Sequence, residues 1–221
     1  MIKKSFARMD FLCIMWLMLE PDAGLNNDVG KNNDLKSEII RKLIHLLIAF
    51  SPLMASINRV FTLFFLLIGT IFYTIFELLR YKGIKIPLIS ILTTMASRPQ
   101  DRGRFVPGPV TLGLGAFLSL LLYPPLAASI AVYALAFGDT FACLAGKLFG
   151  RIKPAFLFGK SIEGSLTCFA AVFVTSFLVS SNIQLALISA FVAMIAEALP
   201  LEDFDNLVLP LAVGLAVFLL T

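Results

Sequence analysis

Charge is scarce in this sequence. Only 14% of its 221 residues are Asp, Glu, Lys or Arg, whereas soluble domains carry about 25%. With 59% of the residues hydrophobic, that scarcity excludes an ordinary soluble domain and predicts an integral membrane protein. Cysteine is scarce too. Cys13, Cys143 and Cys168 form no CxxC pair, and the last two sit in apolar runs. They are expected to pack as small residues rather than to bind metal or form disulfides. Histidine occurs once, at His45. A P-loop is also missing: Gly159-Lys160-Ser161 has the right ending, but GxxxxGK[ST] needs a glycine where Pro154 stands, and no strand precedes it. The net charge of +4 is modest. No nucleic-acid partner is expected, and the placement of the basic residues carries more information than their sum.

What is present is a series of apolar runs. The first, Phe11 to Leu19, follows Lys3, Lys4 and Arg8 and has nine residues, too few for a span of about 20. It has the layout of a signal peptide with a poor cleavage site at Glu20–Gly24, and equally that of an interfacial anchor helix. Asn26 to Lys36 is polar and reads as a linker outside the bilayer. Residues 1–36 are therefore expected to form an N-terminal extension, and 37–221 one membrane-embedded domain.

Later runs occupy 43–57, 60–79, 86–96, 110–123, 126–145, 162–180, 183–199 and 207–220. Basic residues cluster at Lys36/Arg41/Lys42, Arg80/Lys82/Lys85, Arg98/Arg102/Arg104 and Lys147/Arg151/Lys153/Lys160. If every run crossed, the second and third clusters would lie on opposite sides, against the positive-inside rule. Run 86–96 contains Pro87 and is short, so reading it as re-entrant or interfacial places all four clusters on one face. The expected fold is all-α: a polytopic transmembrane bundle of about seven spans plus a short helix near 86–96. The basic face would be cytoplasmic, in a bacterial inner membrane or its equivalent.

Several polar groups lie where polar groups are costly. Glu38, Arg41, Lys42 and His45 fall at i, i+3, i+4 and i+7 on one helix face. Anchoring and a Glu38–Lys42 pair would explain the first three; His45, one turn deeper, points into the bundle. Asp139 interrupts an apolar run, where insertion of an acid costs about 2.5–3.5 kcal/mol. It adjoins Gly138, Ala142 and Gly146, a small-residue face that admits a close neighbour. Asp139 is therefore a candidate magnesium ligand or general base, or the partner of Arg41, Lys42 or His45. Ser161 can cap a helix beginning near Ile162, with Gly164 keeping its first turn slim and Lys160 beside it, an arrangement that favours phosphate. Glu163 in that turn can share a divalent ion with phosphates. Arginine in the 98–104 loop also suits phosphate. Glu202 and Asp203 read as solvated, and Glu197, Asp205 and Asn206 as candidate cation ligands.

In that order, Glu38-x-x-Arg41-Lys42-x-x-His45, Gly138-Asp139-x-x-Ala142-x-x-x-Gly146-x-x-x-Gly150, Lys160-Ser161-x-Glu163-Gly164-Ser165, and Glu197 with Asp205-Asn206 and Pro210 resemble the CTP-dependent polyprenol, phytol and dolichol kinases. That family includes CTP-dependent diacylglycerol kinases and is related to phosphatidate cytidylyltransferases. The resemblance runs from about Glu38 to Leu220, and residues 1–36 match no element of it. It implies phosphoryl transfer from CTP to the hydroxyl of a membrane lipid, an isoprenoid alcohol or diacylglycerol, with Arg41, Lys42, Asp139, Lys160 and Glu163 handling the nucleotide. The expected site then has Asp139, His45 and Lys42 as catalytic residues. Arg41, Lys42, Gly138, Lys160, Ser161, Gly164 and Ser165 would surround the phosphates, and Asp139, Glu163, Glu197 and Asp205 would hold Mg2+. Cytidylyl transfer and membrane transport are the alternatives.

Overall fold

A computed structural model describes residues 28–84 and 104–221. The expected anchor helix or signal segment within 1–19, Cys13, the short helix at 86–96, Lys85, Arg98 and Arg102 lie outside the described residues.

The described residues form only helices and connections: α1 (Asp28–Leu47), α2 (Phe50–Tyr81), α3 (Gly108–Leu122), α4 (Pro125–Tyr133), a π-helical stretch (Ala134–Asp139), α5 (Thr140–Leu148), α6 (Ile162–Ser180), α7 (Ile183–Ala198) and α8 (Asp205–Leu220). Short 3-10 turns lie at Ala155–Leu157 and Glu202–Phe204. α1 begins inside the stretch expected to be a linker. Its Asn and Asp residues carry only small helix penalties, so a helix established by the Glu38–His45 face propagates outward through them.

Four helical stretches are long and apolar enough to cross a membrane: Ser37–Tyr81, Pro125–Leu148, Ile162–Ser180 and Glu202–Leu220. Gly108–Leu122 and Ile183–Ala198 are shorter apolar helices, spanning roughly 22–24 Å at 1.5 Å per residue against a hydrocarbon core of about 30 Å. The expectation of about seven spans is corrected by this: the described residues hold six apolar helical stretches, four of them of spanning length. Runs 43–57 and 60–79 also belong to one stretch rather than two.

That first stretch nonetheless folds back on itself. Asn58 (φ −150°, ψ 99°) departs from helical geometry inside α2, and its side chain accepts from the Phe61 amide at 3.0 Å. Next to it, Arg59 donates to the carbonyls of Leu120 and Tyr123 at 2.6 and 3.1 Å, satisfying the open C-terminal end of α3. At the opposite end of α3, Glu77 receives the Val106 amide at 3.0 Å and pairs with Arg80 at 2.6 Å. Arg41 lies at that same end, 3.6 Å from Asp203, whose carboxylate sits 3.5 Å from the position a Cβ on Gly108 would take. The chain thus leaves the Arg41 end, turns at Asn58 and returns. Arg41, Lys42 and Arg80 share one end of the bundle, as the charge pattern predicted.

The core sits where α3, α4, α6, α7 and α8 meet. Ala127, Ile130, Ala131, Leu135, Val172, Ala190, Val213 and Val217 are essentially inaccessible there. Many are small, which lets the helix backbones approach closely. Large apolar side chains such as Phe61, Phe64, Phe65 and Phe72 point outward, the pattern expected of a surface facing lipid.

Candidate functional site

The site is built from three separated stretches. On α1, Lys42 and His45 are buried. Lys42 ion-pairs with Asp139 across the bundle, and His45 Nδ1 lies 3.0 Å from the same oxygen, Asp139 Oδ2, off the hydrogen-bonding direction. The two stripes singled out in the sequence therefore face each other. Glu38 does not pair with Lys42 as its i,i+4 spacing suggested. It takes Arg41, three residues on, and Lys147 at 2.8 Å, because Lys42 is drawn to the unpaired acid opposite. Glu38 also receives the Cys143 thiol at 3.2 Å.

The second stretch holds Asp139 in place through an irregular helix. Ala134–Asp139 is π-helical, a form that occurs mostly as single turns and frequently at functional sites. Gly138 does not reach a ligand position: a Cβ there would meet Val172 and Cys168 at 2.7 and 3.3 Å. Its role is close packing on α6, and the buried Cys168 opposite it is a free packing thiol. Further along, a Cβ on Gly164 would come within 2.8 Å of the Ala142 carbonyl oxygen and 3.4 Å of the Gly146 Cα. The small face of α5 is therefore what admits the start of α6.

That start is capped as expected. Ser161 Oγ accepts from the Gly164 amide at 3.1 Å. Phe158 and Gly159 turn the chain through the left-handed region (φ 51° and 89°) just before it, a conformation natural for glycine. Lys160 extends to α7, where its Nζ lies 3.1 Å from Glu197 Oε1 and donates to the Glu197 carbonyl oxygen. Ser165 also turns to Glu197, at 3.4 Å, and is committed there.

These elements enclose one cavity of about 270 Å³. Of the residues expected at the site, it brings together Arg41, Lys42, Asp139, Lys160, Ser161, Gly164, Glu197 and Asp205. Cys143, Gly146, Lys147, Lys153 and Gly159 also line it, without having been assigned there from sequence. In the sequence Lys147 and Lys153 stand out as bases within the Gly138–Ser165 stretch, a pattern that suits an anionic ligand, and Cys143, Gly146 and Lys147 continue the Asp139 helix face. Five basic side chains line the cavity against three acidic ones, and two of the five, Arg41 and Lys147, are also paired with Glu38.

Other expectations need correction. Glu163 does not line the cavity: its carboxylate accepts from the amides of Arg151 and Ile152 at 2.9 and 3.2 Å, tying down the preceding loop. Asn206 is buried and joins α8 to α3 through Thr111 Oγ1 at 3.1 Å. Asp203, expected in solvent, is half-buried beside Arg41. Among the described residues no three His, Cys, Asp or Glu side chains gather as a metal cage. The acids that do face the cavity, Asp139, Glu197 and Asp205, fit a different situation, in which magnesium keeps most of its ligands as phosphate oxygens and water and needs only one or two carboxylates.

No family model, curated protein or solved structure matches the chain. The chemistry of the cavity itself has to carry the functional reading.

Proposed function

We propose that this chain is a CTP-dependent lipid kinase, which transfers a phosphoryl group from CTP to the hydroxyl of a membrane lipid. The observation that carries this reading is the convergence of Arg41-Lys42, Asp139 and Lys160-Ser161 on one net-positive cavity at the basic end of an apolar bundle. A buried ion pair such as Lys42–Asp139 contributes little net stability compared with apolar residues of equal volume. Its position beside an open polar cavity therefore favours a chemical role. The resemblance of the same stretches to the polyprenol, phytol, dolichol and diacylglycerol kinases points the same way.

In this reading the basic end faces the cytoplasm, and the triphosphate enters the cavity from there. Arg41, Lys147, Lys153 and Lys160 meet its charge. Asp139 and Asp205 would hold a magnesium ion, which when bound would supply neutralisation of part of the phosphate charge. The lipid oxygen attacks the γ-phosphorus, the bond from that phosphorus to the bridging oxygen breaks, and CDP departs with the electron pair. The hydroxyl proton passes to the Asp139–His45 pair. Lys42, held against Asp139, keeps that carboxylate oriented.

The test is a transfer assay with γ-labelled CTP on phytol, polyprenol and diacylglycerol, with products separated by headgroup. Labelled lipid phosphate plus CDP is expected, and Asp139→Asn should abolish it. Pyrophosphate in place of CDP would mean cytidylyl transfer, and solute uptake by proteoliposomes without nucleotide turnover would mean a transporter. Wild-type rates in Asp139→Asn would remove that residue from the chemistry.

A further inference from the structure

The bases around the polar cavity are mostly matched with acids. Arg41 pairs with Glu38 and Asp203, Lys42 with Asp139, Lys147 with Glu38, and Lys160 with Glu197. Lys153 differs from them. It lines the cavity, is exposed, and its ammonium makes no ion pair or hydrogen bond among the described residues. An incoming anion meets this charge without having to displace an acid.

An exposed, unpaired lysine has many rotamers, so its place at the cavity is set by its backbone. That backbone is held by the start of α6. Glu163 Oε1 accepts from the Arg151 and Ile152 amides at 2.9 and 3.2 Å, and the Ile152 carbonyl accepts from the Ile162 amide at 3.0 Å. Ile152, immediately before Lys153, is thus fixed at both its N–H and its C=O. Immediately after stands Pro154 (φ −68°, ψ 150°), and a proline confines the residue before it to extended conformations. A turn then closes as the Leu157 amide donates to the Pro154 carbonyl at 3.0 Å, and the chain returns to the cavity at Gly159 and Lys160. Glu163 stays outside the cavity but anchors the segment that brings Lys153 to it.

We propose that Lys153 draws the triphosphate of a nucleotide into the cavity, and that Glu163 is a positioning residue acting through it. This deepens the kinase reading and rests on it for the identity of the anion. The role given to Glu163 depends on reach rather than charge. Both amides reach Oε1, so Glu163→Gln keeps an acceptor in place, whereas Glu163→Asp keeps the charge and stops a methylene short. A carboxylate holding a metal ion would rank the two variants the other way.

The test measures equilibrium binding of CTP and of inorganic tripolyphosphate by calorimetry, using the full chain in phosphatidylcholine nanodiscs without lipid alcohol. Lys153→Ala should weaken both about tenfold, a loss of about 1.4 kcal/mol. Glu163→Asp should weaken both to a similar extent, and Glu163→Gln should bind as the wild type does. The double variant Glu163→Asp/Lys153→Ala should bind no more weakly than Lys153→Ala alone, because the carboxylate acts through that lysine. Additive losses, or Glu163→Gln weaker than Glu163→Asp, would overturn the positioning role. Unchanged binding in Lys153→Ala would mean that the lysine serves the membrane surface, and it would overturn the whole proposal, as would a wild type that binds neither anion. Because tripolyphosphate binding needs no transfer, the two readings fail separately. Lys153-dependent binding without phosphoryl transfer to lipid would refute the kinase and leave the anion site, and transfer undiminished in Lys153→Ala would do the reverse.

Discussion

Lys42 and Asp139 are 97 positions apart and meet in the interior. Removing either partner strands a buried charge, a loss of about 3–5 kcal/mol, whereas replacing both by neutral groups of similar size is close to neutral. Thermal unfolding in detergent should therefore show Lys42→Met and Asp139→Asn each strongly destabilised and the double variant near wild type, while CTP-dependent transfer is lost in all three. Additive destabilisation in the double variant would show that the two side chains do not depend on each other. The acids facing the cavity separate in the same way. Asp205→Asn should raise the magnesium concentration needed for half-maximal transfer. Glu163→Gln should leave that concentration unchanged, because its carboxylate is bound to the Arg151 and Ile152 amides outside the cavity. A magnesium titration of both variants decides the matter.

At the level of helices, the site depends on how closely α5 and α6 cross. Gly164→Val would drive a side chain into the Ala142 carbonyl, 2.8 Å from the Cβ position, and the backbone cannot move away without separating the two helices. This variant should lose both stability and nucleotide binding. Ser161→Ala removes only the cap and should cost about 0.5–2 kcal/mol. A ranking with Ser161→Ala the more damaging in a melting experiment would contradict the crossing geometry. Much at this scale was readable beforehand. The serine cap and the small Gly138-Ala142-Gly146 face follow from local rules, since each involves residues within one or two turns. The π-helical stretch ending at Asp139 was not readable, because the apolar run Ala134–Phe137 carries no local signal that separates it from an α-helix.

Across the whole molecule, the two ends are separated by the 15 residues of α3, roughly 22 Å. Arg59 satisfies α3 carbonyls at the far end, and hydrogen bonds from a charged group are worth about 1.5–3 kcal/mol. Arg59→Ala should accordingly lower the melting temperature while leaving the KM for CTP unchanged. A changed KM would mean that the ends are mechanically coupled.

The sequence by itself determined the helical class, the affinity for a membrane and the gathering of basic residues at one end, because these depend on composition and on period, which are local and additive. It also marked Lys42, His45, Asp139, Lys160 and Ser161, because a polar residue in an apolar run stands out wherever the chain later goes. Only the tertiary structure decided which partners those residues take. Glu38 chose Arg41 and Lys147 over Lys42, Glu163 turned to the Arg151–Ile152 loop, and Asn206 went to α3. Each outcome was set by competition between groups far apart in the chain, and spacing along one helix cannot rank competitors that arrive from another.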